Sequence, residues 1–190
     1  MKIINTLGPK ETDSFKAAQF LASKEEVEIK LHDSFDDIYS HLDQLNGEFM
    51  LVPVAYRSAV SDSNWVDNNY KYLDQLSIVD TFFLPTMPMI LVHNLHQDNQ
   101  KIVLHPSTSA FLHPSTSAFL HDFDEDLVQD YVSSKPEALQ KFLHGDYAYA
   151  IVSEEWFKKA MNKGIGDGRY ETIQRFSPTM IWCLYKIIGK

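Results

Sequence analysis

Phe49-Met50-Leu51-Val52 is a continuous apolar run that stops at Pro53. A run with no polar alternation is the pattern of a strand buried on both faces, which means a parallel sheet covered by helices. Val54 to Arg57 then lie in the loop beyond the strand's carboxyl end, where open parallel sheets keep their ligands. A second apolar run, Tyr147 to Val152, has the same character. Similar junctions lead into both: Leu45-Asn46-Gly47-Glu48-Phe49 and Leu143-His144-Gly145-Asp146-Tyr147. Each places Gly where a left-handed residue closes a helix, then an acid and an aromatic that begins the strand. The chain therefore reads as α/β, with one unit built twice.

The rest of the sequence supplies the matching elements. An apolar strand from Ile3 stops at Gly8-Pro9, Thr12, Asp13 and Ser14 are cap candidates, and a helix comes next with Ala17, Ala18 and Leu21 on its inner face. Val27, Ile29 and Leu31 alternate as a strand. Asp33 or Ser34 caps a second helix whose apolar face is Phe35, Ile38, Leu42 and Leu45, with Asp36 and Asp37 in its first turn and Asn46-Gly47 at its end. The second cycle runs through the strand Ile102 to Leu104, a helical opening at His105-Pro106-Ser107-Thr108, a short strand at Tyr131-Val132, a helix from Pro136 to Leu143, and a helix from Glu154 to Met161 with Ser153 as its cap. Tyr72 to Phe83, Met89 to His93 and Met180 to Ile188 read as extended. They predict two crossings between lobes, out near residues 78 to 90 and back near 168 to 180. Residues 1–80 with 170–190 form lobe 1 and residues 81–169 form lobe 2, with a hinged ligand cleft between them.

Composition narrows the partners. With 190 residues, 44% of them hydrophobic, the chain can bury a proper core. A formal charge of −9 without a Lys/Arg block argues against nucleic acid or an anionic membrane as the main partner. Cys183 is the single cysteine, which rules out an intrachain disulfide. The start lacks a signal-peptide pattern, and the most apolar stretch, Thr81 to Val92, is broken by Pro85 and Pro88 and too short to cross a bilayer. A soluble cytoplasmic protein is expected. His93-x-x-His96 and the remaining histidines show no zinc-site spacing, and no glycine-rich nucleotide loop appears, so neither metal nor organic cofactor is expected.

One repeat is unmistakable: His105 to Leu112 is succeeded at once by the same eight residues, His113 to Leu120. Identity at every position marks a tandem duplication. Either copy fits the strand-to-helix junction, and the other lengthens the loop or the helix. As for the first turn, Gly8 to Ser14 aims backbone N–H groups and small hydroxyls at one point, which suits an anion, although on the turn alone an ordinary capped junction is the stronger reading. From residues alone, the chain is a two-lobed α/β binder of a small polar ligand.

The stretch Asn5-Thr6-Leu7-Gly8-Pro9-x-x-Thr12-x-Ser14-x-x-Ala17-Ala18 resembles the opening motif of the prephenate dehydratase superfamily. His32-Asp33-Ser34-Phe35 and Leu51-Val52-Pro53-Val54-Ala55-Tyr56 resemble later motifs of one branch, the bacilysin-pathway prephenate decarboxylases. His-Pro-Ser in lobe 2, Val132-Ser133-Ser134 and Met180-x-Trp182-x-Leu184 come in the same order. The resemblance implies two periplasmic-binding-protein-like (type II) lobes that hold prephenate, a dicarboxylate, between them; a homodimer is kept as a possible assembly, since the sequence does not reveal the oligomeric state. It implies Gly8, Thr12, Ser14, Tyr56, Arg57, Ser133, Ser134, Lys135 and Trp182 as substrate-binding residues, together with His113 and Ser115 or their duplicates in the first octapeptide. It assigns no catalytic residue.

A dehydratase must protonate the ring hydroxyl so that water leaves with carbon dioxide. The family pattern for that activity has Thr-Arg-Phe on the return strand, where this chain has Ile181-Trp182-Cys183, and an acid and Asn after Val-Pro-Val, where it has Ala55-Tyr56-Arg57. The resemblance thus favours a lyase that decarboxylates prephenate without aromatising it, as in amino-acid-derived antibiotic biosynthesis. Glu11 replaces a family Gly, and Lys135 stands where a Ser-Thr pair is usual. These departures keep two alternatives open: a non-catalytic binding protein or sensor for a small carboxylate, and a diverged prephenate dehydratase.

Overall fold

The computed structural model describes residues 1–112, 127–164 and 168–189. It divides into two compact units, Met1–Thr86 with Pro178–Lys190, and Met87–Ser177. The sequence pattern puts the divisions at 80/81 and 169/170. The later positions arise from pairing: one strand runs on to Pro85 inside the first sheet, and Tyr170–Phe176 pairs within the second.

Unit 1 contains β1 (Lys2–Leu7), α1 (Asp13–Ala22), β2 (Val27–His32), α2 (Phe35–Ser40), β3 (Phe49–Pro53), α3 (Trp65–Lys71), β4 (Leu76–Pro85) and, from the chain's end, β10 (Thr179–Ile187). Its sheet has the order β2-β1-β3-β10-β4. The first three strands are parallel, and β10 is inserted antiparallel to both β3 and β4. Unit 2 contains β5 (Met89–Asn94), β6 (Lys101–Leu104), a 3-10 helix (Pro106–Leu112), β7 (Val128–Tyr131), α4 (Lys135–His144), β8 (Tyr149–Ser153), α5 (Glu154–Met161) and β9 (Tyr170–Phe176), in the sheet order β7-β6-β8-β5-β9. Position for position the pattern is that of unit 1: three parallel strands, one antiparallel insertion, one edge strand. Met50–Val52 is therefore buried in a mixed sheet rather than a purely parallel one, with Phe49 partly buried at its start.

Both faces of each sheet are covered. In unit 1, α1 packs Ala17, Ala18 and Leu21 on Ile4, Leu51, Trp182 and Leu184, while α2 packs Phe35, Ile38 and Tyr39 on Met50, Val52, Cys183 and Tyr185. Each large apolar side chain among them, fully buried, contributes about 1.5–3 kcal/mol of hydrophobic stabilisation. Thr12 caps α1 by accepting from Phe15 N (3.2 Å), and Ser34 caps α2 by accepting from Asp37 N (3.0 Å). The second helix stops at Ser40, although its apolar pattern continues to Leu45. Ser40 Oγ and the His41 ring both take the Asp37 carbonyl, and the chain tightens into turns with His41 N on Ile38 O.

Two further expectations are corrected. Gly47 closes its turn at φ +84°, but Gly145 has φ −104°. Gly is needed at 145 for closeness instead: an added Cβ would lie 2.6 Å from Lys141 O. Tyr72 belongs to the turn after α3, and the strand begins only at Leu76. Sequence pattern alone missed α3, which is capped by Asn64 Oδ1 accepting from Asp67 N (3.0 Å). Among the described residues no helix is long and apolar enough to cross a membrane.

Candidate functional site

The connections locate the site within each unit. From β1 the chain passes to α1 on one face of the sheet, and from β3 it passes to α3, whose Trp65 packs with the cluster on the other face. Between β1 and β3 the connections therefore diverge, which makes their carboxyl ends the topological switch point of unit 1. In unit 2, β6 leads to the 3-10 helix with Phe111 and Leu112 on one face, and β8 leads to α5 with Phe157 on the other. The β6 and β8 carboxyl ends form the second switch point.

The turn after β1 is tightly made. Gly8 N donates to His32 O (2.8 Å), and an added Cβ at Gly8 would come 3.2 Å from Leu31 Cβ, so β1 and β2 meet closely there. The Gly8–Pro9 peptide is cis. The Thr12 hydroxyl proton is shared between Leu7 O (3.0 Å) and Pro9 O (2.9 Å), while its oxygen accepts from Phe15 N. Ser14 is buried and makes no side-chain hydrogen bond among the described residues.

The loop after β3 is organised by Asp36, in the first turn of α2. Its carboxylate accepts from Tyr56 Oη (2.9 Å), Ser58 Oγ (2.8 Å) and Ser61 Oγ (3.1 Å). Asn68 Nδ2 donates to Ser63 Oγ (2.8 Å), which lies 3.2 Å from the Tyr56 hydroxyl. Burial pushes the Asp36 carboxyl up, but hydrogen bonds from Ser63, Ser58, Tyr56 and Ser61 outweigh it and hold the group below its ordinary range. Tyr56 is thus placed in the core, its ring against Phe35 (4.8 Å between centroids) and its hydroxyl on Asp36. Burial pushes its hydroxyl pKa well up. Arg57 is exposed and has no carboxylate partner among the described residues. Trp182 lies opposite Pro53, at the end of β3, with its ring in the α1-side core and only 1% exposed. Its Nε1 is buried with no acceptor among the described residues.

At the second switch point the first octapeptide copy comes directly after β6. His105 Nδ1 accepts from Ser107 N (3.1 Å), and His105 O accepts from Thr108 N (2.9 Å) and Thr108 Oγ1 (2.7 Å). His113 and Ser115 lie outside the described residues. Beside this turn, Ser134 caps α4 by accepting from Glu137 N (3.3 Å), and Ser133 donates to Glu137 Oε2 through its N–H (3.0 Å) and hydroxyl (2.6 Å). This reciprocal box engages both serine hydroxyls. Lys135 Nζ lies 3.3 Å from Met89 Sδ. At the end of β8, Ser153 is buried and its Oγ has no partner among the described residues. The neighbouring Glu154 accepts from Lys158 Nζ (2.5 Å) and Arg175 Nε (2.6 Å).

Sequence reasoning missed Asp36 as an organiser, and it missed a polar chain across β1. Fully buried Asn5 donates through Nδ2 to Glu48 Oε2 (2.7 Å) and Phe49 O (3.1 Å), so its Oδ1 receives His32 Nε2 (2.8 Å). Lys30 completes the chain on Glu48 Oε1 (2.8 Å). The available signal was Asn5 itself, an amide in an otherwise apolar strand.

This strand order, made twice with diverging connections at each switch point, is that of the periplasmic-binding-protein-like α/β fold. No family model matches the sequence, and no curated protein matches it. Among solved structures, prephenate dehydratase from Arthrobacter aurescens in complex with L-Phe is similar at 14% identity and TM-score 0.58, over 99% of this chain and 61% of that one. Prephenate dehydratase from Staphylococcus aureus is similar at 18% identity and TM-score 0.54, over 98% and 66%. The periplasmic VFT2 domain of Bordetella pertussis BvgS is similar at 11% identity and TM-score 0.56, over 98% and 80%. The chain spans less than two thirds of each dehydratase chain, and these likenesses establish the fold.

Proposed function

We propose that the chain is a cytoplasmic prephenate decarboxylase-like lyase that works as a homodimer without metal or organic cofactor and serves the synthesis of an amino-acid-derived antibiotic. The observation that carries the reading is the chemistry of Ile181-Trp182-Cys183 beside the end of β3. This segment offers a hydrocarbon, an indole N–H and a buried thiol whose pKa burial pushes up. An indole N–H can hold an anion but cannot deliver a proton to a leaving hydroxyl. In the proposed reaction the bond between the ring and its carboxylate breaks, carbon dioxide departs, and the electron pair moves into the ring diene. A ring carbon then takes a proton from water, and the hydroxyl stays. Unpaired donors such as Trp182 Nε1 suit the developing negative charge, and exposed Arg57 suits a substrate carboxylate. The fold likeness to prephenate dehydratases along nearly the whole chain supports the substrate class.

Purified protein mixed with prephenate and monitored by ultraviolet absorbance and mass spectrometry tests the proposal. Loss of carbon dioxide with the hydroxyl retained is the expected result. Phenylpyruvate would show a dehydratase instead. A thermal shift without turnover would show a binding protein, since ligand at a hundred times its Kd adds about 2.7 kcal/mol to stability.

A further inference from the structure

Unit 1 leaves one edge apolar. On α3 and the turn after it, Val66, Tyr70 and Leu73 are spaced i, i+4, i+7 and are 51%, 72% and 67% exposed. The helix is anchored beside this stripe, where Asn69 Oδ1 accepts from Tyr185 Oη (2.9 Å), while Asn68 is its buried residue. Beside it, β4 is the edge strand and, among the described residues, pairs only with β10. Ile78 stands opposite Tyr185, and Phe83 stands opposite Ile181. Tyr185 and Cys183 pack in the cluster that includes Trp65 of α3. By strand alternation Ile78, Phe83 and Ile181 therefore face the α3 side, and Phe83 is 69% exposed.

Edge strands are usually blunted by charges, prolines or bulges, and the proline of β4, Pro85, stands at its last position. The single charge in β4 is Asp80, which stands opposite Leu184 and so faces the α1 side. The one irregularity in the ladder lies where β10 passes from Leu184 to Tyr185. Beyond it, Thr81–Pro85 pairs regularly with Thr179–Cys183 and carries no charge. The exposed parts of the six apolar side chains amount to about 700 Å², close to the ~800 Å² that each partner contributes to a standard stable interface.

We infer that the occupant of this edge is a second copy of the chain, paired antiparallel through Thr81–Pro85 about a two-fold axis. An edge strand is self-complementary in this arrangement, because the same N–H and C=O groups serve both copies. Two five-stranded sheets become one, the Phe83 rings meet near the axis, and the two α3 stripes close over the same face. Asp80 falls outside the paired segment. This surface gives the proposed homodimer its location and does not depend on the reaction assigned to the chain.

Light scattering on size-exclusion fractions and sedimentation velocity over a range of concentrations test it on the full chain. The wild type is expected to be a dimer. Phe83→Asp and, separately, Tyr70→Asp should each weaken it by about thirtyfold or more, the loss expected from removal of a central aromatic anchor. Val128→Asp, on the exposed β7 edge of unit 2, should leave it intact. Circular dichroism checks that each variant folds, and the helix-borne Tyr70 variant stands in if the strand variant does not. A monomeric wild type overturns the inference, as does a dimer indifferent to both Phe83→Asp and Tyr70→Asp. The prephenate assay on the same samples reads the catalytic proposal separately.

Discussion

Asp36→Ala should release the loop after β3. The carboxylate accepts three side-chain hydrogen bonds. The bond from Tyr56 counts most, because that residue is 7% exposed and its hydroxyl has only Ser63 as another partner among the described residues. A hydrogen bond to a charged group contributes about 1.5–3 kcal/mol, and a buried donor left unpaired costs a similar amount. Ser58 and Ser61 can turn to water and add little. The expected loss is about 2–3 kcal/mol, a fall in Tm of roughly 4–12 °C for a chain of this size.

The assay is a double-mutant cycle of Asp36→Ala and Tyr56→Phe by urea denaturation. Each single variant already removes the bond, so a coupling of about 1–2 kcal/mol is expected. The pH dependence has a definite sign. The folded carboxyl lies below its ordinary 3.8, so its stabilisation is present above that value and is lost as pH falls through the folded value. The gap between wild type and Asp36→Ala should therefore close in acid below about pH 4. Additivity within about 0.5 kcal/mol, or a gap that persists in acid, would refute the assignment of Asp36 as the organiser of the loop.

Thr12→Ala should cost about 1–2 kcal/mol through loss of the α1 cap, with Thr12→Ser near wild type, measured by urea denaturation. Gly47→Ala meets open space but a φ of +84° and should cost about 1 kcal/mol, whereas Gly145→Ala pushes a methyl to 2.6 Å from a backbone oxygen and should cost about 1–3 kcal/mol. A larger loss at Gly47 would contradict the reasons given for the two glycines. Trp182→Phe should cost about 1–2 kcal/mol for the lost ring volume and weaken prephenate binding about tenfold by calorimetry. Unchanged affinity would remove the indole from the proposed site.

The legible part of the chain is the part that depends on neighbours in sequence. The caps at Thr12 and Ser34, the apolar runs at Phe49 and Tyr149, and the twofold strand-helix rhythm are local patterns, and they carry enough to place both sheets. The helix α3 escapes because it buries little: only Asn68 is fully covered, and its apolar residues Val66 and Tyr70 face outward. The end of α2 escapes because it is set by competition for one carbonyl, which apolar periodicity does not register. In the sequence Asp36 is simply a favourable first-turn charge. Its larger role needs Tyr56, Ser58 and Ser61, which lie 20 to 25 positions away in sequence.

The same distinction bears on the candidate site. Thr12, Ser133 and Ser134 are candidates because hydroxyls suit an anion, yet a hydroxyl has a single proton. That of Thr12 goes to two carbonyls, and that of Ser133 goes to Glu137. Such groups hold turns and have no proton left for a carboxylate unless the turn opens. An anion at these strand ends is then met by other donors: backbone N–H groups, the guanidinium of Arg57, Trp182 Nε1, and hydroxyls that donate to nothing among the described residues, such as Ser14 and Ser153. Substitution at Thr12 should accordingly lower stability far more than affinity, and substitution at Arg57 should do the reverse. Arg57→Ala is expected to raise the Kd for prephenate about tenfold or more, the scale of a charge-assisted hydrogen bond, with Tm nearly unchanged because the side chain is exposed and has no carboxylate partner among the described residues. If Thr12→Ala and Arg57→Ala moved affinity and stability together, the separation between turn-holding hydroxyls and ligand-holding cations would fail.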